Sequence, residues 1–265
     1  GPGKYPHRTS KERKRNNMLS AILLQPGGWG KAPGRIDDIH IHDVEIKKVA
    51  TPLMIVLNEE NEAGRILVEK VKASAIGWSA SSVESWCGGY FEEVVFRDIS
   101  VEYIGCENKE LKEMTIQRPH VDSRQLPCWG WFAKNVKKLT FQNVELKYTG
   151  KEVRPTFYFD SVKNIIFDKV ACERVNDTDV IVSTDSGSNP FLYAINSNIS
   201  MDTTSDDASG YGTYAIGNAQ EYFLGSTFNV PTYLTIAANG DNNNITLGAT
   251  KKGEKITTQK AVWKD

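Results

Sequence analysis

The stretch Val136-Lys-Lys-Leu139-Thr-Phe141-Gln-Asn-Val144-Glu-Leu146 decides the fold, because its apolar pattern occurs five times in the chain. Apolar side chains stand at its first, fourth, sixth, ninth and eleventh positions, and the other copies are residues 36–46, 63–73, 91–101 and 162–172. The fourth-position residues are 27, 28, 45 and 26 residues apart: Ile39, Ile66, Val94, Leu139 and Ile165. A recurrent spacing of this length indicates stacked units that bury their apolar faces against one another.

The spacing inside each unit distinguishes strands from helices. Apolar residues at positions four and six, and again at nine and eleven, alternate as in a strand, and the skip between the two pairs indicates a corner. Their types, Ile, Val and Phe, suit a pleated surface. A leucine-rich repeat is disfavoured because no Leu-x-x-Leu-x-Leu frame recurs. The sequence therefore predicts an all-β chain, a right-handed parallel β-helix with coils of about 27 residues. The third segments of its coils begin at Leu53, Ser82, Trp131 and Phe157.

A change in charge predicts two regions. Residues 1–175 hold the regular coils, with a basic N-terminal loop and a long insert at 105–128. Residues 176–250 contain no Lys or Arg, and we interpret 176–265 as irregular acidic coils or a C-terminal cap.

The composition limits the possible partners and cofactors. No apolar run is long enough to span a membrane, and no basic stripe with stacking residues indicates nucleic acid. No residue cluster has transition-metal spacing, so we expect no cofactor, although Asp202, Asp206, Asp207 and residues 240–244 could ligate Ca²⁺ through oxygens. The four cysteines are scattered, and a Cys106–Cys128 bridge is left open. The oligomeric state is also left open.

The long insert ends in the residue types that carbohydrate sites use. His120, Asp122, Arg124, Trp129 and Trp131 lie within 12 residues. Carboxylates can serve acid–base chemistry, Arg and His can hold charged or hydroxyl groups, and aromatic rings can stack on sugars. In the alternative interpretation Asp122 and Arg124 form a local ion pair while the two tryptophans pack on the coil.

Two further residues join the candidate site. Residues 128–132 align with residues 154–158 of the next coil, which places Arg154 near the end of the insert and Trp131 above Phe157. Alternation with Val83 is expected to turn Glu84 outward beside the groove. Asp122 and Glu84 are the predicted catalytic acids, and the predicted substrate-binding residues are His120, Arg124, Trp129, Trp131 and Arg154.

The coils, with Leu126-Pro-Cys-Trp-Gly-Trp-Phe-Ala-Lys-Asn-Val-Lys-Lys-Leu-Thr-Phe-Gln-Asn-Val144 and Glu152-Val-Arg-Pro-Thr-Phe-Tyr-Phe-Asp-Ser-Val162, resemble a known family. They are similar to the C-terminal half of polygalacturonase-like proteins of Bacteroidetes, related to glycoside hydrolase family 28. The resemblance covers roughly residues 18–172. It implies a secreted or periplasmic bacterial enzyme that hydrolyses pectin-type polysaccharide by inversion, with paired aspartates.

The catalytic signature of that family is not met. The chain has no Gly-His-Gly, and Leu53–Leu57 stands where an Arg-Ile-Lys would be expected. No catalytic residue can be carried over, so whether the chain is an enzyme stays open. The leading hypothesis is a carbohydrate-active β-helix protein, a glycoside hydrolase on pectin-like acidic polysaccharide. The alternatives are a non-catalytic carbohydrate-binding or adhesin β-helix, and a fragment without its catalytic coils.

Overall fold

The computed structural model shows a solenoid of parallel strands. It describes a continuous body with short gaps, followed by separate strand segments: residues 20–26, 33–119, 123–175, 178, 181–184, 191–195, 198–201, 213–216, 220–224, 227–228, 236–239 and 244–247. The strands in chain order are β1 Ile22–Leu24, β2 Arg35–Ile36, β3 Ile39–Lys47, β4 Leu53–Leu57, β5 Glu62–Ile76, β6 Ser81–Ser85, β7 Phe91–Tyr103, β8 Trp131–Tyr148, β9 Phe157–Arg174, β10 Ile181–Thr184, β11 Phe191–Ile195, β12 Asn198–Met201, β13 Thr213–Ile216, β14 Gln220–Leu224, β15 Thr227–Phe228, β16 Ile236–Asn239 and β17 Asn244–Leu247.

Each coil contributes to three parallel sheets. Sheet A stacks β1, β4, β6, the first residues of β8 and β9, and then β10, β13 and β16. Sheet B stacks the segments that begin near Ile39, Ile66, Val94, Leu139 and Ile165, followed by β11, β14 and β17. Sheet C stacks the segments after the next corner, followed by β12 and β15.

The stacking register confirms the predicted repeat. Ile39 pairs with Ile66, Ile66 with Val94, Val94 with Leu139 and Leu139 with Ile165, so the five marker residues form one ladder. Four of them are fully buried in the core, and Ile39, in the first described rung of sheet B, is half-buried. Trp131 pairs with Phe157 as the alignment of the two coils predicted.

The corner between sheets B and C has one backbone conformation in five coils. Its residue has φ between 52° and 56° at Asp43, Lys70, Asp98, Asn143 and Lys169. This left-handed region is unfavourable for residues with a Cβ, and Asn and Asp tolerate it best. One such residue per coil turns the chain after the two-residue skip seen in the sequence. The Asn143 amide also donates to the Asp98 carboxylate of the previous coil, over 2.6 Å.

The insert lies over the outer face of sheet A. It includes a 3₁₀ helix, Lys109–Glu113, capped by the Asn108 side chain, and Leu111 of this helix is buried. Behind the insert a second apolar cluster forms outside the main core, from Ala80, Leu126, Cys128 and Phe132. All four cysteines are free thiols, so the bridge left open by the sequence does not form.

Candidate functional site

A row of polar side chains crosses the outer face of sheet A. Glu84 pairs in register with Lys134, and Lys134 pairs with Asp160. On the opposite face of the same strand, Val83 packs in the core, so Glu84 points away from the solenoid axis as alternation predicted. Neighbouring rungs are about 4.8 Å apart, which puts the Cα atoms of Glu84 and Asp160 about 10 Å apart.

The sequence predicted that Glu84 lies beside an open groove, and this is wrong. The insert covers the Glu84 side chain completely (0% exposed). Nη1 and Nη2 of Arg124 donate to its two oxygens over 2.9 and 2.6 Å, and Nε1 of Trp86 donates to Oε2 over 2.8 Å. Such a two-pronged ion pair is among the strongest side-chain contacts. Both carboxylate oxygens are therefore occupied, and Arg124 is a partner of Glu84; the alternative pairing of Arg124 with Asp122 is not tested, because Asp122 lies outside the described residues.

Polar contacts at several points hold the insert in place. Nε of Arg124 donates to the Gln117 carbonyl over 3.0 Å, and the Ser79 hydroxyl donates to the Arg124 carbonyl. Arg118 donates to the Asn58 side chain over 2.7 Å and pairs with Glu59 at 3.3 Å. The insert is thus attached to turns of two earlier coils, and Arg124 is one of its main anchors.

Trp129 and Trp131 require a correction. Both indoles are at most 1% exposed and belong to the main core, so neither presents a face to a sugar ring. Trp131 packs against Phe96 and Phe141, with ring centroids 4.5 and 5.4 Å away, and Trp129 packs edge-on against Tyr103. The physical reason is alternation, because Trp131 begins β8 facing inward and Trp129, two residues earlier, faces the same way. The second interpretation of the sequence, packing on the coil, describes them correctly.

Arg154 also has a structural position. Its Nε and Nη2 donate to Glu152 over 2.8 and 2.7 Å, and its Nη1 donates to the carbonyls of Trp78 and Leu126 over 3.0 and 3.2 Å. Burial opposes its charge, but the hydrogen bonds to Glu152 and the charge of that residue raise the pKa of Arg154 above its ordinary value. Arg154 lies at the end of the insert, as predicted, but its side chain is 2% exposed and connects three successive coils.

The other two predicted residues, His120 and Asp122, lie outside the described residues. The same is true of the predicted Ca²⁺ ligands Asp202, Asp206, Asp207 and residues 240–243. Within the described part of the chain, no group of three or more His, Cys, Asp and Glu side chains could hold a metal ion.

Part of the sheet A face stays accessible beside the insert. We call Trp86, Lys134, Tyr158 and Asp160 the sheet A strip; the Lys134 and Asp160 side chains are 19% and 25% exposed. Nζ of Lys134 forms an ion pair with Asp160 and lies 5.1 Å from the centre of the Trp86 ring. Tyr158 packs beside Phe132, with ring centroids 6.0 Å apart. An ion pair between two half-buried aromatic rings can offer both stacking and hydrogen bonds to a ligand.

Lys134, Tyr158 and Asp160 were missed by the sequence reasoning. The alignment that set Phe132 opposite Tyr158 also sets Lys134 opposite Asp160, two positions later. The alignment could therefore have predicted this ion pair. However, Lys134 and Asp160 each directly precede a corner residue, Asn135 and Ser161. A charged residue before a corner is usually exposed to solvent, so its presence in a sequence does not indicate a binding site.

An open groove of about 670 Å³ lies at the first coils, away from the strip. Arg35 lines it but pairs with Asp37 and Glu62 at 3.3 and 3.4 Å. Its other lining residues are Pro33, Gly34, Glu60, Glu62 and Gly88. The lining has three charged side chains and no aromatic ring, so this groove is a weaker candidate than the strip.

Comparison of the chain with models of protein families, with curated proteins and with solved structures finds no match. Among the described residues, no helix has the length and apolar character of a membrane span.

Proposed function

We propose that this β-solenoid is a carbohydrate-active protein that binds a polysaccharide along the sheet A strip. The observation that carries the proposal is the combination of Trp86 and Tyr158 with the Lys134–Asp160 ion pair on one accessible sheet face. Sugar rings need an apolar surface for their C–H faces and fixed polar groups for their hydroxyls.

The geometry favours binding over catalysis. Glu84 is the one predicted catalytic acid among the described residues, and Arg124 and Trp86 occupy its oxygens. A general acid or base must reach the scissile bond directly or through one water. The Asp160 carboxylate is accessible but engaged by Lys134.

The proposed ligand class is a pectin-like acidic polysaccharide. The resemblance to polygalacturonase-like proteins suggests it, and the cationic Lys134 is compatible with a uronate carboxylate. A ligand of this class is compatible with the secreted or periplasmic location expected from the sequence, which is part of the proposal.

Calorimetry with oligogalacturonate and with a neutral oligosaccharide tests this proposal. Trp86→Ala should lower the affinity for both sugars by about tenfold or more, because a stacking surface is lost. Lys134→Ala should lower the affinity for the acidic sugar only. Trp86→Phe keeps a ring but loses the N–H to Glu84, so it separates stacking from damage to the Glu84 contact. Lys138→Ala, an exposed lysine on a neighbouring surface, is the matched control. If neither sugar binds, or if the strip variants bind like wild type, the proposal fails.

A glycoside hydrolase is the second candidate. In its favour, Glu84 and Asp160 stand on the same side of sheet A, two rungs apart, as two carboxylates of a hydrolase would need to do. Arg124 would have to release Glu84 first. We expect residues 1–265 to release no reducing ends from polygalacturonate. Release that disappears in both Asp160→Asn and Glu84→Gln would establish the hydrolase instead, and release that disappears in Asp122→Asn would place the active site in the insert.

A further inference from the structure

Two histidines stand side by side on the outer face of sheet B, in strand β3. Ile39 and Ile41 of this strand pack against the core, so alternation turns His40 and His42 outward. The His40 and His42 side chains are 47% and 52% exposed, and their ring centroids lie 4.6 Å apart. Solvent can therefore reach two imidazoles at one point of the surface.

A carboxylate holds each ring by one of its two nitrogens. Nε2 of His40 lies 3.0 Å from Oε1 of Glu69, in the next coil. Nδ1 of His42 lies 2.6 Å from Oδ2 of Asp43. A carboxylate accepts a hydrogen bond from the ring N–H, which fixes the tautomer and leaves a lone pair on the other nitrogen. The nitrogens with a lone pair are then Nδ1 of His40 and Nε2 of His42, and no described residue hydrogen-bonds either of them.

The two carboxylates are placed to orient the rings. Oε2 of Glu69 lies 3.4 Å from Nη1 of Arg97, and Oδ1 of Asp43 lies 4.0 Å from Nζ of Lys70. Each carboxylate thus stands between a ring and a cation, so we assign neither of them as a further metal ligand. Histidines that bind a metal commonly donate their other N–H to such a carboxylate, which orients the ring and makes it more basic.

The separation of the rings fits two ligands of one metal ion. Imidazole nitrogens bind such ions at about 2.0–2.1 Å, which puts each ring centre about 3.2 Å from the metal. For an angle of about 90–110° at the metal, the two ring centres are then about 4.5–5.2 Å apart. The observed 4.6 Å lies within this range.

We infer that His40 and His42 together bind one divalent transition-metal ion on the outer face of sheet B, with water completing its coordination. Imidazole nitrogen suits Zn²⁺, Ni²⁺ and Cu²⁺, and Cu²⁺ binds such donors most tightly. A donor set of two imidazoles is consistent with the finding that no described group of three or more His, Cys, Asp and Glu side chains could hold a metal.

The spacing of the pair explains why the sequence did not indicate this site. Common zinc motifs place about two to five residues between paired ligands. His40 and His42 have one residue between them, and side chains at that spacing share a face only in an extended strand.

Copper binding to the full chain tests the inference. Equilibrium dialysis against CuCl₂ should show one tight equivalent in wild type, and electron paramagnetic resonance should show two nitrogen ligands on it. His40→Ala and His42→Ala should each lower the affinity at least about tenfold, because the loss of an orienting partner alone already costs about 10–100-fold. Each variant should also leave one nitrogen ligand, a change that damage elsewhere in the fold would not produce.

The other two histidines of the chain provide matched controls. His7→Ala and His120→Ala should leave the copper affinity unchanged. Ca²⁺ and Mg²⁺ should not compete, because they take oxygen ligands. A wild-type chain that binds no tight equivalent overturns the inference. So does an affinity that is unchanged in His40→Ala and His42→Ala, or one that falls in His7→Ala or His120→Ala in their place. Competition by Ca²⁺ would mean that oxygen ligands hold the copper, which also contradicts the assignment.

Discussion

The outer faces of sheets A and B carry similar rows of polar residues, but with different surroundings. On sheet B, Arg97 connects Glu69 at 3.4 Å with the Gln142 side chain at 2.8 Å, and Gln142 continues to Asp168 at 3.1 Å. That row spans four coils in contact with water, and the Arg97 side chain is 38% exposed. On sheet A, Glu84 and Arg124 meet under the insert, and the Glu84 side chain is fully buried.

The comparison shows that burial, and not residue type, decides how much a charged pair contributes to stability. An exposed pair gains little because water screens it and solvates either partner alone. A buried pair leaves a charge without solvent when one partner is lost. The sheet B row is therefore replaceable, whereas the pair on sheet A determines where the insert sits.

The largest expected effect is the loss of Arg124. Arg124→Leu leaves the Glu84 carboxylate buried without its cation, and should lower the free energy of unfolding by about 3–5 kcal/mol. Arg97→Leu on sheet B removes the same cation from an exposed row, and should cost below about 1 kcal/mol. Urea unfolding of both variants measures the difference.

The double variant Glu84→Gln with Arg124→Leu separates charge from packing. It removes both charges and should recover much of the loss seen in Arg124→Leu. Equal costs for Arg124→Leu and Arg97→Leu would mean that water reaches Glu84 beneath the insert.

The sequence predicted the repeat and its register because both depend on local alternation. The position of Ile39 against Ile66 and that of Trp131 against Phe157 follow from residue spacing alone. The Glu84–Arg124 pair joins residues 40 positions apart through an insert without periodicity, so no pattern in the sequence specifies it. The Glu152–Arg154 pair is local and could have been anticipated from its spacing of two residues in an extended segment.

A smaller effect is expected for the chemical reactivity of the two buried cysteines. Cys128 lies in the cluster under the insert, and Cys172 lies in the main core. Burial raises the pKa of both thiols to about 12, so neither should react with iodoacetamide at about pH 8, while the half-buried Cys87 and Cys106 should react.

Local opening of the insert would expose Cys128 without exposing Cys172. We expect Cys128 to become modified first in low urea, followed by Cys172 at the global transition, as measured by mass spectrometry of peptides. Simultaneous modification of the two thiols would show that the insert and the core unfold as one unit. Arg124→Leu should advance the modification of Cys128 alone.

The smallest expected effect concerns Asp37, an exposed carboxylate that reaches across coils. Its Oδ1 accepts the backbone N–H groups of Arg65 and Asp38 over 2.8 and 2.9 Å, and these bonds lower the pKa of Asp37 below its ordinary value. A depressed pKa stabilises the fold above the pKa of the unfolded chain, and this contribution is lost as the pH falls through the folded value. Asp37→Asn should therefore lower the melting temperature at about pH 7, and the difference from wild type should shrink as the pH falls from about 5 towards 2.

Gly64 makes room for this contact, since a Cβ there would overlap Oδ1 of Asp37. In a Gly64→Ala background, where the carboxylate is displaced, Asp37→Asn should change the melting temperature little at either pH. A full and pH-independent effect of Asp37→Asn in that background would show that the Arg65 and Asp38 contacts do not hold the carboxylate.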